Sequence, residues 1–150
     1  MELEKIKILE NRSGCPVATS LDIIGDKWSL IIIRDIFIGR TSFTDFLNAP
    51  EKISTNILKN RLNKLEQYEI IYHKVSKSDR KVKNYFLTEK GMELYPLIYE
   101  LSMWSLKHIE FEHHPLADEW VDGNKDKSAK QVIEETVSDY KKSLKIQINS

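Results

Sequence analysis

Along residues 53–66, apolar and polar positions separate onto two sides of a helix. Leu58, Leu62 and Leu65 recur at spacings of four and three and make one apolar stripe. The other side carries Thr55, Asn56, Lys59, Asn60, Asn63 and Lys64, short hydrogen-bonding or cationic side chains with no carboxylate among them. Ser54 stands where an N-cap belongs. Such a helix suits a DNA major groove, with base-edge donors and acceptors near its N-terminus, cations beside them and an apolar back. The same pattern also describes an ordinary surface helix with a solvated polar face.

The flanking segments narrow the choice. Residues 1–14 have only a weak apolar pattern and read as a loosely held arm. Pro16 suits a first helical position, and Val17, Leu21 and Ile24 give helical spacing up to Gly25. A second helix is predicted from an Asp26 cap through the isoleucine run to Ile38, with Gly39 just past its end. Ser42-Phe43-Thr44-Asp45 resembles a capping box opening a short third helix, with Phe43, Phe46 and Leu47 facing inward. With the helix after Ser54, this makes a helix-turn-helix pattern.

Beyond Glu66 the period changes. Residues 70–75 and 84–88 are β-branched and aromatic and read as two strands, joined by a cationic hairpin tip over 76–83. Helix-turn-helix followed by a basic hairpin is the plan of a winged helix. A long helix is then predicted from Thr88 to about Phe111, bent at Pro96. Leu94, Leu97, Ile98, Leu101, Trp104 and Ile109 form its stripe. Met92, Tyr95, Tyr99, Met103 and Leu106 widen that stripe, so the helix needs burial on two sides, one of them most economically against a second copy of the chain. One more amphipathic helix is expected near 126–145, on Ile133, Val137, Tyr140 and Leu144. The fold class is thus mainly α with a small β-hairpin (α+β), a dimeric winged helix-turn-helix. Its parts are an arm over 1–14, a domain over 15–112 and an extension over 113–150.

Composition changes the picture at one point. The 150 residues carry no net charge, which argues against a nucleic-acid partner until the distribution is examined. Between Lys52 and Lys90 ten bases face four acids, a local charge of +6 that the rest of the chain balances. DNA binding follows such a patch rather than the total. No run approaches a membrane span, no signal-peptide core is present, and a single cysteine cannot close an internal disulfide. These features imply a cytoplasmic protein without a membrane partner.

From Cys15 to about Lys107 the chain resembles the HxlR family of bacterial transcriptional regulators, winged-helix relatives of the MarR group. The residues that carry the likeness are Cys15-Pro16-Val17, Ile24-Gly25-Asp26-Lys27-Trp28-Ser29-Leu30, Phe43 and Phe46. They continue through Ile53-Ser54, Leu58, Arg61-Leu62, Leu65-Glu66, Tyr85, Leu87-Thr88, Gly91 and Trp104. The resemblance implies a homodimer, built from the first and last helices of the common core, on a palindromic operator. It also implies that Cys15 senses oxidants or electrophiles such as quinones and aldehydes. Two departures stand out. Tyr68-Glu69 replaces the usual glycine before the first strand, and the tail beyond about residue 115 is longer than typical.

The candidate DNA-binding residues are Ser54, Thr55, Asn56, Lys59, Asn60, Arg61 and Lys64 on the helix and Lys77, Arg80, Lys81 and Lys83 on the wing. Asn56 and Asn60 suit adenine edges, and Lys59 suits guanine or phosphate. Arg61 either touches phosphate or braces the helix through an acid such as Glu66. The candidate dimer residues are Val17, Leu21, Leu94, Ile98, Leu101 and Trp104. Cys15, as a cap on the helix that Pro16 begins, would hold its sulfur beside free backbone N–H groups, a setting that favours the nucleophilic form of a thiol. The competing reading is a small side chain packed at the dimer seam. His73, His108, His113 and His114 lack the paired spacing of a zinc site, so no metal and no cofactor is expected. The function expected is a sequence-specific DNA-binding regulator, a repressor by default and not an enzyme. Two alternatives stand beside it: a winged-helix module that binds protein, and a small thiol-dependent enzyme using Cys15.

Overall fold

The computed structural model describes residues 2–149. The chain divides into two compact units, Met1–Glu93 and Leu94–Ser150.

In the first unit, residues 2–15 have no helix or strand, and Arg12 pairs with Asp22 at 2.6 Å. Helix α1 runs Pro16–Ile24 with Pro16 in its first turn. Of its apolar positions only Ile24 is buried, whereas Val17 and Leu21 are exposed. Helix α2, Ser29–Phe37, begins two residues later than an Asp26 cap implies. Asp26 still caps, through an extra turn: its Oδ1 accepts from the Trp28 and Ser29 backbone N–H groups at 2.9 and 3.0 Å. Ile32, Ile33 and Ile36 are buried on α2. Gly39 takes φ +97 just past its end, a conformation that needs no Cβ.

Helix α3, Phe43–Leu47, has the full Ser42/Asp45 capping box. Phe46 is its one fully buried residue; Phe43 and Leu47 are half-buried, not inward as the sequence suggests, because a five-residue helix turns only one position fully to the core. Helix α4 covers Thr55–Gln67, with Ser54 Oγ accepting from Ile57 N–H at 3.3 Å. Leu58, Leu62 and Leu65 are all 1% exposed or less. Each such leucine contributes roughly 1.5–3 kcal/mol by leaving water.

The end of α4 explains the missing glycine. Glu69 itself adopts the left-handed conformation, φ +57. Its N–H bonds Glu66 O at 3.0 Å and Ile70 N–H bonds Leu65 O at 2.9 Å, the paired bonds of a Schellman cap. Lys90 Nζ holds the Glu69 carboxylate at 2.7 Å, and Thr88 Oγ1 donates to the Glu69 carbonyl at 2.6 Å.

Strands β1, Ile71–Val75, and β2, Lys83–Leu87, pair antiparallel with Ile71 opposite Leu87 and Val75 opposite Lys83. Tyr85 N–H bonds Thr41 O at 2.8 Å and Ser42 bridges Asn84, so the approach to α3 is stitched to β2.

The expected continuous helix from Thr88 is two helices. Helix α5, Glu89–Met92, closes the first unit, and a Cβ on its Gly91 would meet Ile70 O at 2.2 Å, so only glycine fits there. Helix α6, Tyr95–His108, opens the second unit with Pro96 in its first turn. Pro96 has no N–H to extend the preceding helix and clashes with its last carbonyls, so the chain breaks instead of bending. Helix α7, Pro115–Asn124, is one the sequence reading missed; His114 Nδ1 accepts from Leu116 N–H at 3.1 Å to cap it. Helix α8, Ala129–Asn149, packs on α6 and buries Val132 and Tyr140. Trp120 stands edge-on to Tyr99 and donates to Tyr95 Oη at 3.3 Å. Among the described residues no helix is long and apolar enough to cross a membrane.

Candidate nucleic-acid interface

The candidate site belongs wholly to the first unit. With its three leucines inward, α4 turns Thr55, Asn56, Lys59, Asn60 and Asn63 to solvent, all of them exposed. The pattern that separates the two faces in the sequence therefore separates core from surface in the fold. Ser54 is spent on capping, which leaves Thr55 and Asn56 as the first outward side chains of the helix.

Arg61 and Lys64, grouped with the outward residues by sequence, turn inward. Arg61 Nε donates to Asp26 Oδ1 at 2.9 Å, not to Glu66, and its other end donates to Asn60 Oδ1 at 2.5 Å. Lys64 Nζ donates to the Asp22 carbonyl at 3.0 Å. Both fasten α4 to the α1–α2 corner. Asp26 is the hub. Burial pushes its carboxyl up, but hydrogen bonds from the Ser29 hydroxyl, the Trp28 and Ser29 backbone and Arg61 outweigh that and hold it at about 2. It is a fixed anion under ordinary conditions, and the Arg61 guanidinium is its counter-charge.

A buried carboxylate sets the helices that precede α4. Asp35, 1% exposed, accepts from Arg34 Nη2 at 2.8 Å and Arg40 Nη1 at 2.7 Å, and Arg34 also pairs with Glu51 at 2.6 Å. This network ties α2 to the loop before α3 and to the turn before α4. The sequence carries its signal, a charged Arg-Asp pair inside an isoleucine run, but not the partners, which lie 5 and 17 residues away.

Beside α4 the wing holds Lys77, Arg80, Lys81 and Lys83 exposed, none with an ion-pair partner among the described residues. The only acid at the tip, Asp79, accepts from the Lys81 backbone N–H at 3.0 Å. Between α3, α4 and the wing runs a groove of about 400 Å³ with Phe43, Leu62 and Tyr85 on its walls and Lys59, Lys81 and Lys83 at its rim. The hairpin is tied to α4 by a His73 Nδ1–Glu66 Oε1 hydrogen bond, with the Tyr85 ring tilted against His73. An acid-free surface of amides and hydroxyls flanked by unpaired cations can receive a polyanion and read neutral hydrogen-bonding groups beside it.

The remaining candidates lie elsewhere. Cys15 occupies the N-cap position of α1; its side chain is exposed and accepts no capping hydrogen bond. Val17 and Leu21 on α1, and Leu101 and Trp104 on α6, are exposed apolar residues, whereas Leu94 and Ile98 are half-buried. Leu97, left off the list of interface candidates, shares the exposed side of α6 with Leu101 and Trp104. The histidines are dispersed: His73 on Glu66, His108 beside Trp104, His113 on Asp118 at 3.0 Å, and His114 on α7.

Comparison with known proteins places the chain among helix-turn-helix regulators. The family model for the HxlR-like helix-turn-helix matches residues 23–113. The HTH-type transcriptional regulator YdeP of Bacillus subtilis is 37% identical over 95 residues, 63% of this chain and 74% of that protein. Among solved structures, the redox regulator HypR in its oxidised form superposes with a TM-score of 0.58 at 30% identity, over 65% of this chain and all of HypR. The reduced form of the transcriptional regulator YodB from B. subtilis gives 0.53 at 32% identity, over 64% and 95%. YodB treated with diamide and YodB bound to quinone give 0.51 and 0.52.

Proposed function

We propose, from the premise that this chain belongs to the HxlR-like helix-turn-helix family and is a transcriptional regulator, that it acts in the cytoplasm as a homodimeric repressor on a palindromic operator. The observation that carries this reading is the segregation of α4: leucines at 1% exposure or less behind, and an exposed, carboxylate-free face of Thr55, Asn56, Lys59 and Asn60 in front. In a dimer each α4 enters a major groove, with half-sites about 10 base pairs or a multiple apart. The wing cations then take phosphates, which fix orientation without specifying sequence. Arg61 and Lys64 serve this surface by holding α4 in place.

Two apolar faces support the dimer. Val17 and Leu21 on α1, and Leu97, Leu101 and Trp104 on α6, stay exposed between 40% and 65% in the single chain. Replacing Trp104 by Glu is expected to give monomers in sedimentation and to weaken operator binding; a dimer of unchanged affinity would remove this part of the reading. Repression follows from steric blocking, which needs no polymerase contact.

The test of DNA binding is a salt titration of duplex affinity. Several phosphate contacts predict log affinity falling with log salt at about −0.9 per neutralised phosphate. A flat dependence would favour a protein partner instead.

Cys15 is the proposed sensor of a small electrophile or quinone. Its support is the exposed thiol at the mouth of α1 and the likeness to HypR, a redox regulator solved in its oxidised form, and to YodB, solved bound to quinone. Replacing Cys15 by Ser should abolish the loss of operator binding on treatment with diamide or quinone. An identical response in the Ser variant would refute it.

A further inference from the structure

The amides at positions 56 and 60 look alike in the sequence, but the fold gives them different chemistry. Asn60 Oδ1 accepts from an Arg61 guanidinium nitrogen at 2.5 Å, and Arg61 is itself held from the other side by Asp26 at 2.9 Å. Asp26 in turn accepts from two backbone N–H groups and the Ser29 hydroxyl, so the relay ends on a clamped anion. A guanidinium has donors only, so the contact also fixes which way round the Asn60 amide lies: oxygen toward Arg61, amino group away from it. Asn56 has no such partner among the described residues and keeps donor and acceptor together.

The distinction matters for base reading. An asparagine recognises adenine by accepting from N6–H while donating to N7. At Asn60 the accepting atom already serves Arg61. Its other lone pair lies beside a positive charge, where an adenine amino group would meet repulsion. What remains is a donor beside a cation. The major-groove edge that fits it best is guanine, whose N7 and O6 are two adjacent acceptors; thymine offers one acceptor, O4, beside its methyl group.

We propose that Asn60 is a specificity determinant that reads guanine through its outward amino group, with Arg61 and Asp26 as the positioning residues that set its polarity, while Asn56 retains the adenine-type geometry. This rests on the DNA-binding reading above and departs, at Asn60, from the sequence expectation that both asparagines suit adenine.

The experiment is selection of bound duplexes from a random library by the full chain, comparing wild type with Asn60→Ala, Asn60→Asp and Arg61→Met. In the wild-type motif one position per half-site should be guanine, and Asn60→Ala should flatten the preference there about fivefold or more, leaving other positions alone. Asn60→Asp, which keeps the contact to Arg61 but removes the donor, should lose guanine to a similar extent. Arg61→Met should raise adenine at that same position about fivefold. The Asn60 side chain is exposed, so those two variants fold even if Arg61→Met does not. Adenine, cytosine or thymine at the Asn60-dependent position, or no position that depends on Asn60, overturns the proposal. Enrichment of no duplex at all is a separate outcome: it overturns DNA binding itself, and the base assignment with it.

Discussion

Replacing Lys77, Arg80, Lys81 and Lys83 together by Gln tests the wing most directly. All four side chains are exposed and unpaired among the described residues, so each is free to displace a counterion from a duplex. Each phosphate neutralised contributes about 0.9 to the slope of log affinity against log salt. With four cations per subunit and the two subunits of the proposed dimer, the variant slope should be flatter by roughly 7 if every cation reaches a phosphate, and by roughly 4 if half do. Over a fourfold rise in salt, from about 50 to about 200 mM, wild type should therefore lose on the order of a hundredfold to ten-thousandfold more affinity than the variant. Fluorescence anisotropy on a selected duplex at several salt concentrations reads this. The same substitutions should leave folding stability within about 0.5 kcal/mol, because these side chains hold nothing within the fold. A slope changed by less than about 1 would mean that the wing does not meet phosphate. A large loss of stability would mean that it is built into the core.

Three further outcomes follow from the fold. Glu69→Gly should stabilise by about 0.5–1 kcal/mol in urea denaturation, because the left-handed turn after α4 costs an L-residue about 1–2 kcal/mol and the exposed Lys90 pair returns little; destabilisation would show that the Lys90 and Thr88 contacts outweigh the backbone cost. Leu62→Ala, at a site 1% exposed, should cost about 2–5 kcal/mol and lower duplex affinity as α4 loosens. Asp26→Asn bears on acid stability: the carboxyl lies below its ordinary 3.8, so its ionised form stabilises the fold above about pH 4, and that contribution, on the order of 1 kcal/mol once solvent screening is allowed for, fades as pH falls toward about 2. The Asn variant should lack this part of the acid transition, and an unchanged acid limb in denaturation curves would contradict it.

Much of this fold is legible from local signals. The Leu58–Leu62–Leu65 stripe, the Ser42/Asp45 box and the β-branched run at 71–75 each state their element within a few residues, and each lies where its pattern points. What local pattern could not carry is partner choice. Arg61 looks the same in sequence whether it faces phosphate or Asp26, which is 35 residues away. Lys64 likewise reads as an outward cation until the α1–α2 corner meets it. The break at Pro96 was readable in kind but not in degree, since a proline in an apolar helix gives either a bend or an end depending on what packs there. Helix α7 was overlooked although His114-Pro115 and Asp118 mark its start; an imidazole is an uncommon cap, and Gly123 inside the segment reads as a stop.

The stitching of α3 to β2, together with the Glu69 knot and the His73–Glu66 tie, leaves little slack inside the reading head. Helix and hairpin form one casting, like a key whose bow and bit are cut from the same metal. In the dimer proposed above, a signal that switched the protein off would have no loose joint to work within one subunit. It would instead have to change how far apart, or at what tilt, two such castings are carried.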